Sequence, residues 1–352
     1  MKRAVVMRQS RSVSLRDVAE RAGIGVATAS TVLNGSRSNI RVSDATRARV
    51  LEVAREMDYQ PNAIARALKG QPTKTLGVLF GVEGATVAVA NSYVFTVWQG
   101  IIASAEAAGY NVTVFTEMWR GAARSSGMLR DGRADGIIAI AVTTDSDIAT
   151  SLVEVRIPLV VIGSVHGGGV LSVDTDNVRG TELAMTHLVG LGHTRIAHLA
   201  GRPNLSSAIE RRVVFHRELI RAGLPDLPEF TLPGSFEPGP GYDYARRLLS
   251  LPSRPTAIFA ANDTLALAAI EAAKDLGLSV PGDLSVVGFD DRPIAAVLSA
   301  GLTTVRQPLM EIGATGAEML ISQLEGRDPG PTPRIFEPNL VIRHSTAPPR
   351  AL

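Results

Sequence analysis

Apolar residues near the start of the chain recur with the period of short helices. Four of them are spaced i, i+3, i+4 and i+7 and therefore share one helix face: Leu15, Val18, Ala19 and Ala22. Ser14, followed three residues later by Asp17, is typical of a capping box, and Gly23 is suited to the left-handed conformation that ends a helix. The pattern predicts a first helix over residues 15–22, with Ile24 filling the turn after it.

Two further helices are predicted after this turn. The second covers residues 26–33 and ends at Asn34, and the third begins at Ser43 and continues to about residue 57. The apolar face assigned to the third helix consists of Val50, Leu51, Ala54 and Met57. Two short helices joined by a three-residue turn with glycine, supported by a third helix, are typical of a helix-turn-helix. A plain three-helix bundle is the alternative.

In a helix-turn-helix the second helix enters the major groove. There, small apolar side chains contact thymine methyl groups, and hydroxyls bond base edges or phosphates. We expect Thr28 to lie near the phosphates. The residues expected to face outward on this helix are Val26, Ala27, Ser30 and Thr31.

Residues 59–70 predict a short fourth helix that is capped by Asn62 and is too short to be stable alone. We expect it to fold only against a second copy and DNA, with Leu68 inserted between base steps of the minor groove. The alternative is that Leu68 packs on the rest of the chain. The other apolar and basic residues of this helix are Ile64, Ala65, Arg66 and Lys69.

After a linker at residues 71–75, strand-like apolar runs alternate with helical patterns such as 96–108 and 179–191. Seven runs have this character: 76–80, 111–116, 136–142, 159–163, 195–201, 256–262 and 284–291. Alternation of this kind predicts parallel α/β sheets. Because about 270 residues exceed one such sheet, we expect two lobes that divide near Asp174, with residues 307–324 returning to the first.

Polar residues follow several of these strands, at the edge where ligands bind in open α/β sheets. They are Asp174, Asp176, Asn177, Asn262, Asp263, Asp290 and Asp291. Convergence of such groups between two lobes favours a small polyol or heterocycle as ligand. The alternative for each residue is a helix cap, since each precedes a predicted helix start.

Composition and charge narrow the class of protein. Residues 1–70 carry 13 Lys and Arg against 6 Asp and Glu, whereas the remainder carries 23 against 28. A basic end on an acidic body suggests that the end meets a polyanion, although a solvated basic tail is the alternative.

The chain has no cysteine, which excludes disulfides and cysteine nucleophiles. No apolar run approaches the roughly 18 residues of a membrane helix, and we expect a cytoplasmic protein.

The sequence offers no catalytic signature. Its six histidines lack a metal-ligand spacing, and the chain has no G-x-S-x-G elbow, P-loop or G-x-G-x-x-G after a strand. Asp290 and Asp291 are adjacent after a strand, so their side chains should point apart, which disfavours joint acid–base work. His193 is expected to cap a helix end. We expect no metal, no cofactor and no catalysis; an enzyme on two α/β lobes is the alternative.

Four segments, 14–23, 27–35, 42–47 and 59–69, resemble the DNA-binding head of the lactose/galactose-repressor (LacI/GalR) family of bacterial transcription regulators. The resemblance is dense over residues 13–70 and continues loosely to about 345. It implies that Val26, Ala27 and Thr31 fall on base-reading positions and Leu68 on the hinge-helix wedge.

Three features depart from the family pattern. Gly25 replaces the usual Ser cap, Thr31 replaces a frequent Arg that reads guanine, and the loop 36–41 is longer and adds Arg37 and Arg41 as phosphate contacts. The candidate DNA contacts are therefore Leu15, Val26, Ala27, Thr28, Ser30, Thr31, Asn34, Arg37, Arg41, Asn62, Ala65, Arg66, Leu68 and Lys69.

The resemblance also implies an effector site. Residues 206–215 resemble the family's effector segment, whose Arg lies four residues before an aromatic residue, and this selects Arg211 over Arg212. Residues 91–95 resemble a pocket-wall motif. The candidate effector contacts are Asn91, Tyr93, Phe95, Asp176, Arg211, Asn262 and Asp290. Arg with Asp and Asn can fork hydroxyls, which favours a sugar over a purine.

These observations predict an all-α helix-turn-helix head followed by a two-lobed, doubly wound α/β sensor of the periplasmic-binding-protein type I. The expected domains are a tail (1–12), the head (13–60), a hinge helix and linker (61–75), the sensor (76–345) and a second tail (346–352). The expected function is a transcription regulator, usually a repressor, that binds a near-palindromic operator as a homodimer or tetramer under control of a small molecule. A sensor that does not act through DNA is the alternative.

Overall fold

A computed structural model describes residues 13–34, 41–59, 72–81, 91–232, 234–293 and 301–350. The chain divides into two compact units, residues 1–73 and 74–352, which we call the head and the body. In the part of the chain that the structure describes, no helix is long and apolar enough to cross a membrane.

The described residues of the head form three helices in the predicted order: α1 (Leu15–Ala22), α2 (Val26–Asn34) and α3 (Asp44–Glu56). The predicted capping box opens α1, because Ser14 Oγ accepts from the backbone N of Asp17 at 3.3 Å and the Asp17 carboxylate accepts from the backbone N of Ser14 at 2.8 Å. Gly23 ends α1 in the left-handed region, as expected. Ser43 caps α3.

The small core of the head contains residues from all three helices: Val18, Ala22, Val32, Val50, Val53 and Ala54. On α3 the buried positions are i, i+3 and i+4 from Val50, and Met57 at i+7 packs against them. Leu51 is 44% exposed, so its assignment to the inner face is wrong. The physical reason is that Leu51 lies about 100° around the helix from Val50.

The first lobe of the body is a six-stranded parallel sheet in the order β11-β5-β4-β3-β1-β2. Its strands are β1 (Thr75–Phe80), β2 (Asn111–Val114), β3 (Gly136–Ile140), β4 (Leu159–Ile162), β5 (Leu171–Thr175) and β11 (Arg334–Phe336). Its helices are α4 (Ser92–Ala107), α5 (Ala122–Leu129), α6 (Ile148–Glu154) and α11 (Leu309–Leu324).

Helix α11 returns to the first lobe, as predicted, and packs closely on α4. A Cβ atom at Gly100 would lie 1.9 Å from the carbonyl O of Met310, and one at Gly313 would lie 2.0 Å from the carbonyl O of Val97. Only glycine allows the two backbones to approach this closely. The contact fixes α4, whose first residues line the cleft described below.

The second lobe is a six-stranded sheet in the order β12-β10-β9-β8-β6-β7, parallel except for β12. Its strands are β6 (Ile196–Leu199), β7 (Thr231–Leu232), β8 (Ala257–Ala260), β9 (Ser285–Asp290), β10 (Thr303–Arg306) and β12 (Asn339–Val341). Its helices are α7 (Asn177–Gly190), α8 (Ser206–Arg221), α9 (Pro238–Leu249) and α10 (Asp263–Asp275).

The chain passes between the lobes three times: after β5, between β10 and α11, and between β11 and β12. The first two passages were predicted. The third was not, because β11 and β12 have three residues each and lie in a proline-rich stretch without a readable period. All seven predicted strands are present; six are shortened at their ends, and β1 begins one residue earlier than predicted.

Residues 346–350, which belong to the expected C-terminal tail, bond to the second lobe. The backbone N of Ala347 donates to Ser285 Oγ at 3.0 Å, and Arg350 pairs with Asp283 at 3.3 Å. His193 does not cap a helix end with its side chain. Its ring instead lies between Thr256 Oγ1 and the carbonyl O of Ala347, at 2.9 and 3.0 Å.

Candidate functional site

The predicted reading face of α2 is only partly exposed. Val26 is 43% exposed and Ala27 is also exposed, as expected for residues that meet a groove, and Thr28 is half-buried. Ser30 and Thr31 are 9% exposed each, so their predicted outward orientation is wrong. Burial is tolerated at Thr31 because its hydroxyl donates to the carbonyl O of Ala27 at 2.9 Å, which satisfies the polar group inside the helix.

The other candidate DNA contacts divide into those that the structure describes and those that lie outside the described residues. Leu15 is half-buried and Arg41 is exposed. The backbone of Asn34 ends α2. The remaining candidates lie outside the described residues, as does the side chain of Asn34: Arg37, Asn62, Ala65, Arg66, Leu68 and Lys69.

A pocket of about 70 Å³ lies between the two lobes of the body, at the carboxyl ends of the strands. Five of the seven candidate effector residues line it: Asn91, Tyr93, Arg211, Asn262 and Asp290. The other lining residues are Phe80, Val94, Ile140, Ala141, Gly163, Arg202, Leu205, Ser207 and Phe236.

Arg211 is the best anchored polar group of the pocket. It is 4% exposed and lies on the inner face of α8, whereas Arg212 is half-buried. Its Nε and Nη2 donate to Asn177 Oδ1 at 2.9 and 2.8 Å, and its Nη1 donates to the carbonyl O of Ala261 at 2.5 Å. The guanidinium carbon lies 3.6 Å from the ring centre of Phe289. These contacts fix the guanidinium plane before any ligand arrives.

Asp290 and Asp291 point apart, as predicted. Asp290 is 4% exposed, lines the pocket and accepts from Gln307 Nε2 at 2.6 Å. Asp291 turns away and pairs with Arg306 and Arg343, both at 2.7 Å. The backbone of Asp290 has φ +117°, a strained value for a residue with a side chain. Strain of this kind is typical of functional sites, where surrounding contacts maintain it.

Asn91 and Asn262 are helix caps as well as pocket residues. Asn91 Oδ1 accepts from the backbone N of Tyr93 at 3.0 Å, and Asn262 Oδ1 accepts from the backbone N of Leu265 at 2.9 Å. In each case the cap uses the amide oxygen, which leaves the amide NH₂ for other partners. The two alternatives offered by the sequence, cap and ligand contact, are therefore compatible.

Two candidate effector residues do not line the pocket. Asp176 caps α7 by accepting from the backbone N of Arg179 at 2.7 Å. Phe95 is 51% exposed, because it lies two residues after Tyr93 on α4, about 200° around the helix. Neither side chain lines the pocket in this structure, and their role as effector contacts stays a prediction from the sequence.

Three aspartates at the carboxyl ends of strands are buried, and one of them, Asp290, lines the pocket. Burial raises the pKa of Asp174 to about 7. Burial also raises the pKa values of Asp263 and Asp290, against the nearby positive charge of Arg292. Asp263 accepts from Thr304 Oγ1 at 2.5 Å. The cost of ionising these groups is partly offset by Arg211, which attracts Asp174 and Asp290.

Tyr93 reaches into the pocket because residue 163 is glycine. Gly163 has φ +86°, and a Cβ atom there would lie 2.8 Å from the Tyr93 hydroxyl oxygen. Burial raises the pKa of Tyr93, so the group stays a neutral phenol. Its hydroxyl has no hydrogen-bond partner among the described residues and is available to a ligand.

Sequence reasoning missed the aromatic and loop residues of the wall. Phe236 comes from the connection between β7 and α9, and its ring packs directly on Gly201. A Cβ atom at Gly201 would lie 2.2 Å from the ring carbon Cζ of Phe236. Arg202 also lines the pocket and pairs with Glu237 at 3.1 Å. No local period marks these positions. The glycine after β6 was the available signal, since it permits a close approach.

A helix-turn-helix head joined to a two-lobed α/β body with a polar cleft defines a DNA-binding regulator that carries a ligand-binding domain. Residues 14–62 match the model of bacterial regulatory proteins, lacI family, and residues 185–346 match a periplasmic binding protein-like domain. The chain belongs to the LacI family and is a DNA-binding transcription regulator with an effector-binding body.

Relatives and solved structures agree with this assignment. The HTH-type transcriptional regulator DegA of Bacillus subtilis (strain 168) is 32% identical over 343 residues, covering 95% of this chain and 98% of that one. The HTH-type transcriptional repressor PurR of Photobacterium profundum is 31% identical over 338 residues, covering 94% and 98%.

Two solved structures extend the similarity to the fold. A lac repressor dimer bound to operator and the anti-inducer ONPF has a TM-score of 0.82 at 28% identity, covering 96% of this chain and 100% of that one. The regulator CelR in complex with cellobiose has a TM-score of 0.70 at 28% identity, covering 95% and 99%.

Proposed function

We propose that the protein is a transcriptional repressor that binds a near-palindromic operator as a homodimer and responds to a small molecule held between its lobes. The similarity to PurR repressors and to the operator-bound lac repressor dimer supports this function. The observation that carries it is the pre-oriented set of Arg211, Asn262 and Asp290 in one interlobe pocket.

The charges around the pocket favour an uncharged, hydroxylated ligand. Arg202 pairs with Glu237, and Asp290 accepts from an amide and lies within the field of Arg211. Among the described lining residues, no charge requires a counter-ion from the ligand, which disfavours sugar phosphates and organic acids. Fixed donors and acceptors beside aromatic rings suit a pyranose, with one apolar face and several hydroxyls.

A purine is the second candidate for the effector. Three rings, those of Phe80, Tyr93 and Phe236, line the same pocket and would stack on a flat heterocycle. The two candidates differ in their hydrogen-bond donors. A sugar presents many hydroxyls to Asp290 and Asn262, whereas a purine base presents only a few N–H groups.

A melting-temperature screen of the purified full chain separates these candidates. We expect neutral mono- and disaccharides to include a compound that raises the melting temperature, because a ligand that binds only the folded form stabilises it by mass action. Sugar phosphates should have no effect. If purine bases alone raised the melting temperature, the sugar assignment would be wrong while the interlobe site would stand.

A gel-shift experiment tests DNA binding through the head. Val26 and Leu51 are exposed to nearly the same extent, 43% and 44%, on different helices. We expect Val26→Asp to weaken binding to the protein's own upstream region at least tenfold, because a carboxylate in the groove meets phosphates. Leu51→Asp, the matched control, should bind like the parent chain.

The gel shift also addresses the sensor that does not act through DNA. That alternative predicts no salt-sensitive shift of any upstream fragment by the parent chain. Equal loss in both variants would instead place the contact outside α2. The candidates Arg37, Asn62, Ala65, Arg66, Leu68 and Lys69 stay proposals for operator contact from the sequence alone.

A further inference from the structure

A side-chain hydrogen bond crosses the cleft next to the pocket. Ser92 begins α4 of the first lobe, between two residues that line the pocket, Asn91 and Tyr93. Arg292 follows β9 of the second lobe, two residues after Asp290. The Nη1 group of Arg292 donates to the Oγ atom of Ser92. Neither residue was singled out by the sequence, and neither lines the pocket.

Arg292 is fixed at its other end by a buried carboxylate of its own lobe. Its backbone N donates to Asp263 Oδ2 at 2.8 Å, and Asp263 is completely buried. The positive charge of Arg292 also attracts the carboxylates of Asp263 and Asp290. Because the backbone and the charge are both held, the guanidinium is directed across the cleft at low entropic cost.

A second contact joins the lobes mainly through the backbone, with Thr144 Oγ1 also donating to the carbonyl O of Asn204 at 3.4 Å. The backbone N of Thr144 donates to the carbonyl O of Asn204 at 2.9 Å, and Thr143 forms an isolated bridge with Leu205. Leu205 lines the pocket. The lobes are therefore tied by a backbone pair from the Thr143–Thr144 loop and by a side-chain pair at the start of α4.

We propose that Arg292 is a positioning residue that clasps the second lobe to the first through Ser92 and thereby sets how far the cleft closes. It does so without touching the ligand: closure brings the start of α4, with Tyr93, against Asp290. The side-chain pair is the adjustable one, because it depends on one guanidinium rather than on the chain path.

The experiment measures the distance between the lobes by pulsed electron paramagnetic resonance. The chain contains no cysteine, so two engineered cysteines accept spin labels without further changes. Ala123→Cys on α5 and Gly239→Cys on α9 are at exposed positions that do not line the pocket, one in each lobe, and nothing lies within 4 Å of a Cβ atom at Gly239. Excess unlabelled full chain removes distances between copies.

Four variants of the labelled chain make the test specific. Arg292→Ala and Ser92→Ala each remove one side of the clasp, and Ser92→Ala spares the cap of α4 because Asn91 supplies it. The third variant combines both. Arg306→Ala is the matched control, since Arg306 forms an ion pair with Asp291 within the second lobe.

We expect each single variant to move part of the distance distribution to longer values, and the double variant to move it no further than either single one. Arg306→Ala should match the parent. An unchanged distribution in Arg292→Ala or Ser92→Ala overturns the proposal, as do additive shifts in the double variant. If Arg292→Ala did not fold, as judged by circular dichroism, Ser92→Ala would decide alone.

Discussion

On the first-lobe side the cleft is mostly apolar and aromatic, whereas on the second-lobe side it is mostly polar and charged. The first-lobe residues are Phe80, Asn91, Tyr93, Val94, Ile140, Ala141 and Gly163. The second-lobe residues are Arg202, Leu205, Ser207, Arg211, Phe236, Asn262 and Asp290. This division separates two tasks. The second lobe orients the ligand, and the first lobe removes it from water, which strengthens every hydrogen bond that the second lobe makes.

The largest expected effect concerns the anchor of the polar side. Arg211→Ala removes the partner of Asn177 and of the Ala261 carbonyl, leaves Asp174 without its counter-charge and leaves Asp290 with that of Arg292 alone. Loss of one side of a buried charged network costs about 3–5 kcal/mol. We expect urea denaturation to show a fall of this size in the free energy of unfolding. We also expect that the effector no longer raises the melting temperature.

The neighbouring residue supplies the control for this change. Arg212→Ala alters a half-buried side chain on the same helix and should change the free energy of unfolding by less than about 0.5 kcal/mol. Equal stability of the two variants would mean that Arg211 does not organise the second-lobe wall, and the proposed division between the lobes would be lost.

The second prediction uses the buried acid at the end of β5. Burial raises the pKa of Asp174 from 3.8 to about 7, so the folded protein binds a proton there more tightly than the unfolded chain. The stabilising effect of that proton is complete below pH 3.8 and is lost as the pH rises through about 7. Asp174→Asn should therefore stabilise the protein by about 2–4 kcal/mol at pH 8 and change little at pH 4.

Urea denaturation at a series of pH values from about 4 to about 8 checks this sign. Asp145→Asn, an exposed aspartate of the same lobe, is the control and should leave the curve unchanged. A destabilising effect of Asp174→Asn at the upper end of the series would show that Arg211 fully compensates the ionised carboxylate. The first lobe would then contribute a stabilising charge to the site, as the second lobe does.

The third prediction concerns the apolar side. Gly163→Ala places a Cβ atom 2.8 Å from the Tyr93 hydroxyl at φ +86°, so it combines backbone strain with displacement of the ring. We expect a loss of about 2 kcal/mol in the free energy of unfolding together with weaker effector binding. Gly168→Ala, at φ +70° with nothing within 4 Å, isolates the strain and should cost about 1 kcal/mol with effector binding intact. Equal behaviour of the two variants would deny Tyr93 a role in the wall.

Local patterns in the sequence were sufficient for the helices of the head, most strands and the polar residues at strand ends, because each depends on residues close in the chain. They failed where distant segments meet. Phe236 reaches the pocket only because Gly201 lets its ring approach, and β11 pairs with β5 from more than a hundred residues away. Tyr93 and Phe95 share one motif, yet the helical period directs only Tyr93 inward.

The smallest expected effect on stability distinguishes capping from ligand binding at the two asparagines, one from each lobe. Serine preserves an N-cap within a few tenths of a kcal/mol but lacks the amide NH₂. Asn91→Ser and Asn262→Ser should therefore melt almost like the parent. In calorimetric titration with the effector found in the screen, we expect Asn262→Ser to weaken binding about tenfold, the value of one lost hydrogen bond. Asn91→Ser should weaken it less, because the first-lobe side contributes mainly by excluding water. The same loss in both variants would show that both lobes orient the ligand.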